Sequence, residues 1–370
     1  MIINKFSLTW FGRPLASSLT AVIYLTAAFV IFCIPPLYHD HAAAIFPDEQ
    51  TLIAAYSIAS SCDFRSPLGD TGSYACSAMV LKSIGVDAAS GPWFGAFISA
   101  ALTIVPFLRG RRIPMRLFLV ACAWGVVRAT FLAVLSKDLI AAFLVLFLTL
   151  FAGRRAFGTA WFIGGMVYGW VIRKYWMLAT LTWLGLRYVR KWLTPWRVFI
   201  GVVVLYFLFA LAFQVVLGKS LDFARSSMNE NRVVGAQGSQ TIIEPIFTSP
   251  NVALQAINSM LVLLRLVFPI ELLRFLSPEK IAFVALTPIT VWWSMKVVWA
   301  SIRTETPQLI EAGKVALVPL AFLVVEGIFE PDFGSFARHF SMVSPLVFSA
   351  IATAGSHAGI FAKGGEVRGG

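Results

Sequence analysis

The chain has 370 residues, of which 58% are hydrophobic and 13% are charged, and its mean hydropathy is +0.80. Soluble domains carry about 25% charged residues, so this composition excludes an ordinary soluble domain. The net charge of +12 does not indicate nucleic-acid binding, because the basic residues are distributed between apolar segments along the whole chain.

Recurring apolar segments predict an all-α fold, a polytopic helical membrane protein formed by one integral domain, residues 1–370. About ten segments are predicted to cross the membrane: 15–36, 93–108, 115–135, 139–152, 159–172, 175–187, 198–218, 281–302, 314–329 and 337–361. The first is too long for a signal peptide and lacks a small-residue cleavage site. We expect it to be a retained helix that ends at Pro35 and Pro36.

Charged residues between the predicted spans divide into two alternating sets. One set has 16 basic residues and three acids, whereas the other has 12 basic residues and 15 acids. Because cytoplasmic loops are enriched in Lys and Arg, the first set predicts the cytoplasmic side, with both termini on it.

The opposite, periplasmic side then carries two large structured loops, 37–92 and 219–280. In the first loop, PDEQTLIAAYSIASS and SYACSAMVLKSIG are predicted to form short helices. The second contains the long apolar stretch NVALQAINSMLVLLRLVFPIELLRFL, which charged residues and a proline interrupt. We interpret it as a re-entrant or interfacial segment, because a further span would make the two charge sets inconsistent.

Two of the four cysteines, Cys62 and Cys76, fall in the first periplasmic loop, 14 residues apart. An oxidising compartment permits a disulfide between them, and two reduced thiols are the alternative. Cys33 and Cys122 lie within predicted spans. Cysteines and histidines do not share the spacing of a zinc site, so no metal site is expected.

Ionisable residues on the predicted periplasmic side are concentrated at the ends of spans, most densely in FEPDFGSFARHFSMVSP (329–345). Arg and Lys at this depth suit a phosphate or pyrophosphate, and neighbouring acids suit a general base or a sugar-hydroxyl ligand. The candidates for acid–base chemistry are Asp48, Glu49, Glu330, Asp332 and His339. The candidates for pyrophosphate binding are Arg338, Arg173, Lys137, Arg128 and Arg265.

Each candidate also has a purely structural interpretation. Asp48 and Glu49 complement the positive end of a helix dipole in that case, and Lys137 extends along the membrane interface. Arg338 then forms an ion pair with a nearby acid that only fixes the loop. Arg128 lies within a predicted span, where a guanidinium needs a partner or a wet cavity.

The order of these features resembles bacterial O-antigen and exopolysaccharide polymerases, including the EpsG-like group. Such proteins often have an acidic pair in the first outer loop, an SK(D/E) motif, an arginine one hairpin later, and a late E…R(H)…P stretch. The corresponding segments here are PDE (47–49), SKD (136–138), IRKYW (172–176) and EPDFGSFARHFSMVSP (330–345), and LVFPIELL (266–273) is similar to their PFP segment.

The resemblance implies glycosyl transfer at the periplasmic face of the inner membrane. A glycan linked to polyprenyl pyrophosphate is passed to the non-reducing end of an incoming lipid-linked repeat unit. The substrate is then a membrane lipid-linked glycan, with a flippase and a chain-length regulator as possible protein partners. No cofactor, metal or nucleotide is implied, because pyrophosphate is itself the leaving group.

Two other classes of function remain open. A polyprenyl-phosphate-sugar glycosyltransferase of the GT-C type also has adjacent acids in its first outer loop, and an O-antigen ligase needs a large late outer loop. A lipid or polysaccharide transporter is the non-enzymatic alternative. Transporters usually place ionisable residues at the midplane of two repeated halves, whereas no repeat is visible here.

Overall fold

The computed structural model describes residues 7–10, 13–14, 17–45, 48–58, 62, 70–109, 112–192, 194–223, 225–226, 241–247 and 251–355. Its first helices are α1 (Ser17–Ile45), α2 (Asp48–Ile58), α3 (Asp70–Ser83), α4 (Gly91–Ile104), α5 (Met115–Phe131) and α6 (Lys137–Phe151). The others are α7 (Phe157–Val171), α8 (Tyr175–Val189), α9 (Pro195–Leu217), α10 (Val252–Val267), α11 (Pro278–Ile302), α12 (Pro307–Phe329) and α13 (Phe333–Gly355). The all-α class predicted from the sequence is therefore confirmed.

Five described helical segments are long and apolar enough to cross a membrane: Ser18–Ala42, Gly91–Leu108, Trp196–Leu217, Lys280–Ile302 and Pro307–Phe329. α1 and α9 expose large apolar side chains such as Leu25, Phe29 and Val216, which suits contact with lipid. Helices α5 to α8 have 15–17 residues each, so they are shorter than the roughly 20 residues that a full crossing needs. The number of ten spans stays a prediction.

Short connections join α4 to α8 and α11 to α13, and within each series consecutive helices other than α5 and α6 pack against each other as antiparallel neighbours. The α5–α6, α7–α8 and α12–α13 connections therefore lie at one end of the bundle, which we call the carboxylate end. The α6–α7, α8–α9 and α11–α12 connections lie at the other, which we call the basic end. At the basic end, Arg190 donates to the carbonyl oxygen of Ile310 (3.1 Å).

Helix α12 lies at the centre of the bundle, packed against α8, α10, α11 and α13. Nearly every residue from Val315 to Ile328 is buried, so its apolar sequence covers all sides of the helix. Gly327 permits close packing at its last turn, because a Cβ there would lie 2.4 Å from the Tyr206 hydroxyl. The helix at the centre of the bundle is therefore the one that leads into the 329–345 stretch.

Two helix boundaries differ from the sequence-based expectations: the end of the first helix, and the start of the last one, which lies at Phe333 and not at residue 337. The first helix does not end at Pro35 and Pro36 but continues to Ile45, because a proline φ near −65° is compatible with helix and costs mainly a hydrogen bond. The stretch after Pro331 is also mostly helix, since Gly334 lies in the first turn of α13. Only residues 330–332 separate α12 from α13.

A small sheet accompanies the helices. Strands β1 (Ser7–Trp10), β2 (Arg13–Pro14) and β3 (Arg112–Pro114) are ordered β2-β1-β3, with β1 and β3 parallel. The sequence analysis predicted no strand, because these segments are too short to show an alternating pattern. The sheet joins the N-terminal segment to the α4–α5 connection.

Both large loops contain helices. In the first, α2 packs on α3, and Cys62 and Cys76 form a disulfide with Cα atoms 4.7 Å apart. In the second, the apolar stretch forms α10, which packs against α9 and α12, followed by a 3₁₀ turn, Ile270–Phe275. With 16 residues, α10 is apolar but short for a full crossing.

The two-ended arrangement predicts how the chain is oriented. We expect alkaline phosphatase to be active when fused after Asp222 and inactive when fused after Arg155 or at Gly370, because positive charge is retained in the cytoplasm. A green fluorescent protein fused at the same positions should show the reverse pattern. Phosphatase activity of the Gly370 fusion, with no fluorescence there, would contradict this orientation.

A second prediction concerns the disulfide. Alkylation of the unfolded, unreduced protein should label at most Cys33 and Cys122, and prior reduction should add two labels, detected by mass spectrometry. Because the bridge closes a loop of 14 residues, replacing Cys62 and Cys76 by serine should lower the free energy of unfolding by about 3 kcal/mol. Labelling of all four cysteines without reduction would disprove the pairing.

Candidate active site

Two arginines from different connections converge on one carboxylate at the carboxylate end. Asp138 lies in the first turn of α6, where its charge also complements the helix dipole. Its Oδ1 lies 2.9 Å from Arg173 Nη2, and its Oδ2 lies 3.3 Å from Arg338 Nε. The α7–α8 connection provides Arg173 and the start of α13 provides Arg338. The ion pairs therefore tie three hairpins together around a buried acid.

Asp138, Arg173 and Arg338 form one cluster with His339, Glu326 and Glu330. The second half of this cluster is centred on His339. The Arg173 guanidinium donates from Nη1 to His339 Nε2 and also to the Tyr175 hydroxyl, 3.1 Å away. Since a guanidinium is only a donor, Nε2 must accept, and the imidazole proton then lies on Nδ1. His339 Nδ1 is 3.0 Å from Glu330 Oε2 and 3.4 Å from Glu326 Oε1. His339 is therefore a neutral bridge between an arginine and two glutamates.

Glu326 and Glu330 lie one helical turn apart at the end of α12, so their side chains share one face. Both are buried, with 2% and 3% exposure. Within the described part of the chain, neither oxygen of Glu326 accepts a hydrogen bond, and Glu330 Oε1 accepts none. Burial by itself raises the pKa of Glu330, but the contact with His339 and the nearby Arg338 bring it below its ordinary value.

Arg225 holds the turn that carries these glutamates. Its buried guanidinium donates to the carbonyl oxygens of Gly327 (2.9 Å), Ile328 (3.0 Å) and Glu330 (3.2 Å). These carbonyls belong to the C-terminal end of α12, which lacks partners within the helix. Asp222 pairs with the same guanidinium at 3.2 Å. The second loop thus fixes the position of both acids through backbone contacts.

Lys137 connects the cluster to the first loop. Lys137 directly precedes Asp138 in the chain. Its Nζ donates to Ser73 Oγ (2.8 Å) and lies 3.3 Å from the centre of the Tyr74 ring. Ser73 and Tyr74 belong to α3, the helix that the Cys62–Cys76 disulfide ties to the preceding segment. The position of α3 therefore bears directly on the start of α6.

Glu49 lies near the cluster's α5–α6 connection and has its own partners. Its Oε1 accepts from the Leu135 backbone N–H (3.0 Å) and lies 3.3 Å from His39 Nε2, with the carboxylate buried. This arrangement fixes α2 on the bundle. Asp48 begins α2 by its backbone, but the side chain of this candidate lies outside the described residues.

Asp332 has a local structural role at the start of α13. Its Oδ1 accepts from the Ser335 backbone N–H (2.8 Å), and Ser335 Oγ donates to its Oδ2 (3.2 Å). An acceptor three residues before an N-terminal N–H is the geometry of a helix N-cap. The short bridge from Ile242 to Asp332 also holds the second loop against this turn.

Arg128 and Arg265, predicted to bind pyrophosphate, have other partners. Arg128 donates to the carbonyl oxygens of Ser341 (3.0 Å) and Ser99 (3.2 Å), so it joins α13 to α4 inside the bundle. Arg265 donates to both carboxylate oxygens of Glu271, at 2.5 and 2.7 Å, in the second loop. Their contacts within the described residues thus do not include the acids of the cluster.

Of the sequence-predicted residues, the structure brings Arg173, Arg338, His339 and Glu330 together. The sequence analysis did not select Glu326, because that residue lies inside an apolar segment. The sequence does contain a signal for it. Glu326 lies within a predicted span and four residues before Glu330, and residues four apart on a helix share one face. No family model, curated protein or solved structure matches this chain. The resemblance to polysaccharide polymerases therefore stays a prediction.

The N-cap geometry of Asp332 makes a stability prediction. Asp332→Ala should lower the free energy of unfolding by about 0.5–2 kcal/mol, because the Ser335 N–H loses its acceptor. Asp332→Asn keeps an acceptor oxygen and removes the charge, so it should stay close to the wild type in thermal unfolding in detergent. A loss of stability in Asp332→Asn as large as that in Asp332→Ala would contradict this capping role.

Proposed function

We propose that this protein is a polysaccharide polymerase of the bacterial inner membrane. In this proposal it transfers a glycan from polyprenyl pyrophosphate to the non-reducing end of a lipid-linked repeat unit. The main supporting observation is the convergence of Arg173 and Arg338 on Asp138, next to His339 and the two glutamates of α12. The proposal includes ten spans, cytoplasmic termini and a periplasmic position for this cluster.

The arrangement of charge supports an anionic substrate. The side chains of Arg173 and Arg338 are 11% and 15% exposed, whereas that of Asp138 is 2% exposed. The positive groups are thus mostly buried but more accessible than the acid that orients them. Guanidinium groups recognise phosphate oxygens through paired hydrogen bonds, which makes them suited to a pyrophosphate.

The position of the cluster supports a lipid-linked substrate. One of the membrane-length helices, Pro307–Phe329, ends one residue before Glu330. If this helix spans the membrane, the cluster lies at the depth of the lipid head groups, where a polyprenyl pyrophosphate carries its charge. A lipid tail then stays in the hydrocarbon layer while its pyrophosphate meets the arginines.

The chemistry follows from these two halves of the cluster. The hydroxyl of the acceptor sugar attacks the anomeric carbon of the donor glycan, and the bond from that carbon to the pyrophosphate oxygen breaks. Arg173 and Arg338 stabilise the negative charge that develops on the leaving pyrophosphate. The hydroxyl proton passes to a carboxylate on the other side of the cluster. No nucleotide enters this scheme.

The alternatives receive less support from the geometry. In a GT-C-type reaction centred on the first-loop acids, Glu49 would need to contact the substrate, but its Oε1 already accepts from the Leu135 N–H and lies 3.3 Å from His39 Nε2. For a transporter, ionisable residues are expected near the membrane midplane. Here they gather at one end of the bundle, where three connections meet.

Arg338 provides the test of this proposal. Arg338→Lys keeps the charge beside Asp138 but cannot bind pyrophosphate in a bidentate manner, so transfer should fall by about ten- to hundredfold, equivalent to roughly 1.5–3 kcal/mol. Arg338→Ala should lose at least as much. Polymer formed by the purified protein from lipid-linked repeat units would be measured on gels.

A matched control is Arg265→Lys, since Arg265 is also in a bidentate pair but with Glu271 outside the cluster. It should retain near-normal transfer. Membrane protein levels would be followed by immunoblot for every variant. Full activity of Arg338→Lys, or near-normal polymer from well-expressed Arg338→Ala, would reduce Arg338 to a structural ion pair and count against the proposed function.

A further inference from the structure

Glu326 is an acidic residue in an otherwise apolar part of α12. It lies in the last turn of a membrane-length helix and is only 2% exposed, and neither of its oxygens accepts a hydrogen bond from the described residues. A buried carboxylate without donors is costly, because it loses its hydration without compensation. A chemical role for Glu326 would explain why an acid occupies this position.

The charge balance of the cluster supplies one. Three carboxylates, on Asp138, Glu326 and Glu330, lie with two guanidinium groups, on Arg173 and Arg338. His339 adds no charge, because its Nε2 accepts from Arg173 and its only ring proton faces the glutamates. Counted over the described residues, the cluster therefore lacks one positive charge.

Among the residues that the structure describes, the other groups beside this turn do not fill the deficit. Arg225, on the second-loop side, faces backbone carbonyls and is paired with Asp222. Tyr175, on α8, contributes a neutral hydroxyl that accepts from Arg173. The missing charge is then either a bound proton or a bound cation between Glu326 and Glu330.

We infer that Glu326 and Glu330 hold one proton between them and that this pair is the proton acceptor of the reaction. The inference rests on the proposed function given above. The ligand atoms of both acids and of His339 all lie within 4.8 Å of one another. Two carboxyl groups at such a distance cannot both ionise easily in a buried site, so one proton is retained and shared.

The same three residues have the composition of a divalent-cation site, but the hydrogen bonds favour the proton. A metal bound by His339 Nδ1 needs the lone pair of that nitrogen. The Arg173 donor at Nε2 places the imidazole proton on Nδ1, where it points to Glu330 (3.0 Å). A cation would require this arrangement to break.

In the proposed transfer, the pair uses its one remaining negative charge. As the acceptor oxygen bonds to the anomeric carbon, the hydroxyl proton moves to the pair and the electron pair of the breaking C–O bond leaves with the pyrophosphate. The two carboxyls then hold two protons in total. One proton returns to water before the next transfer, so atoms and charge balance without a co-reactant.

Infrared spectroscopy of the full-length protein in lipid nanodiscs tests whether the proton is present. A C=O band of a protonated carboxylic acid should be visible at neutral pH and should shift in D₂O. Glu326→Gln should remove it. Glu311→Gln is the matched control, because Glu311 lies on the same helix but pairs with Lys314 at the basic end, and it should leave the band unchanged.

Transfer assays test whether the pair accepts the proton. Glu326→Gln and Glu330→Gln should each lower transfer by roughly 100-fold or more, and the double variant should lose little beyond the more damaged single variant, since the two acids act as a unit. Binding of the lipid-linked substrate should be retained. Each variant would be compared with the wild type by thermal unfolding, and the infrared result on the wild type does not depend on the variants folding.

The outcomes are distinguishable. Absence of the carboxylic acid band in the wild type, or one divalent ion per chain that Glu326→Gln releases, would overturn the shared proton. A band with normal transfer by both well-folded variants would overturn the role as acceptor while leaving the proposed function intact. A wild-type protein with the band but without any transfer of lipid-linked glycan would instead overturn the proposed function.

Discussion

The contact of Asp138 with Arg173 and Arg338 is the interaction on which the rest of this structure depends. It joins the start of α6, the α7–α8 connection and the start of α13, three points that are far apart in the chain. Each guanidinium would be costly to bury alone, and the shared acid offsets that cost at one place. The arginine side chains are 11% and 15% exposed and the acid is 2% exposed, so the contact that closes the bundle also leaves the guanidinium groups nearer the surface than the acid.

The neutral state of His339 follows from this contact. Arg173 is held by Asp138 and directs a second N–H to the imidazole, and this fixes the ring proton on the side of the glutamates. Arginine, histidine and glutamate therefore form one chain of hydrogen bonds, from the surface to the end of α12. Such a chain polarises each of its members, so a change at one end is felt at the other. Under the proposed function, substrate binding at the arginines would thus be coupled to the acids behind them.

Much of this arrangement follows from patterns in the sequence, and some does not. Apolar segments predict most helices, and the alternation of connections places Arg173, Glu330 and Arg338 at one end. The partners of Arg128 are two backbone carbonyls and the Thr103 hydroxyl on distant helices, which no local pattern reveals. The capping role of Asp332 depends on the exact residue at which α13 begins, and boundaries are the least certain part of a sequence-based prediction. Glu326 lies within an apolar segment, and the hydropathy of the whole segment does not distinguish one acid inside it.

The attachment of Lys137 to α3 has a consequence for when the protein becomes competent. Ser73 and Tyr74, which hold Lys137, lie just before Cys76 on the helix that the disulfide secures. While the thiols are reduced, as they are in a newly made chain in the cytoplasm, this helix lacks its covalent tie. Under the proposed topology, the tie forms only after the loop has been exported. Oxidation would then act as a maturation step. It would secure the contacts of Lys137 at the start of α6 only in the compartment where the proposed function places the lipid-linked glycan.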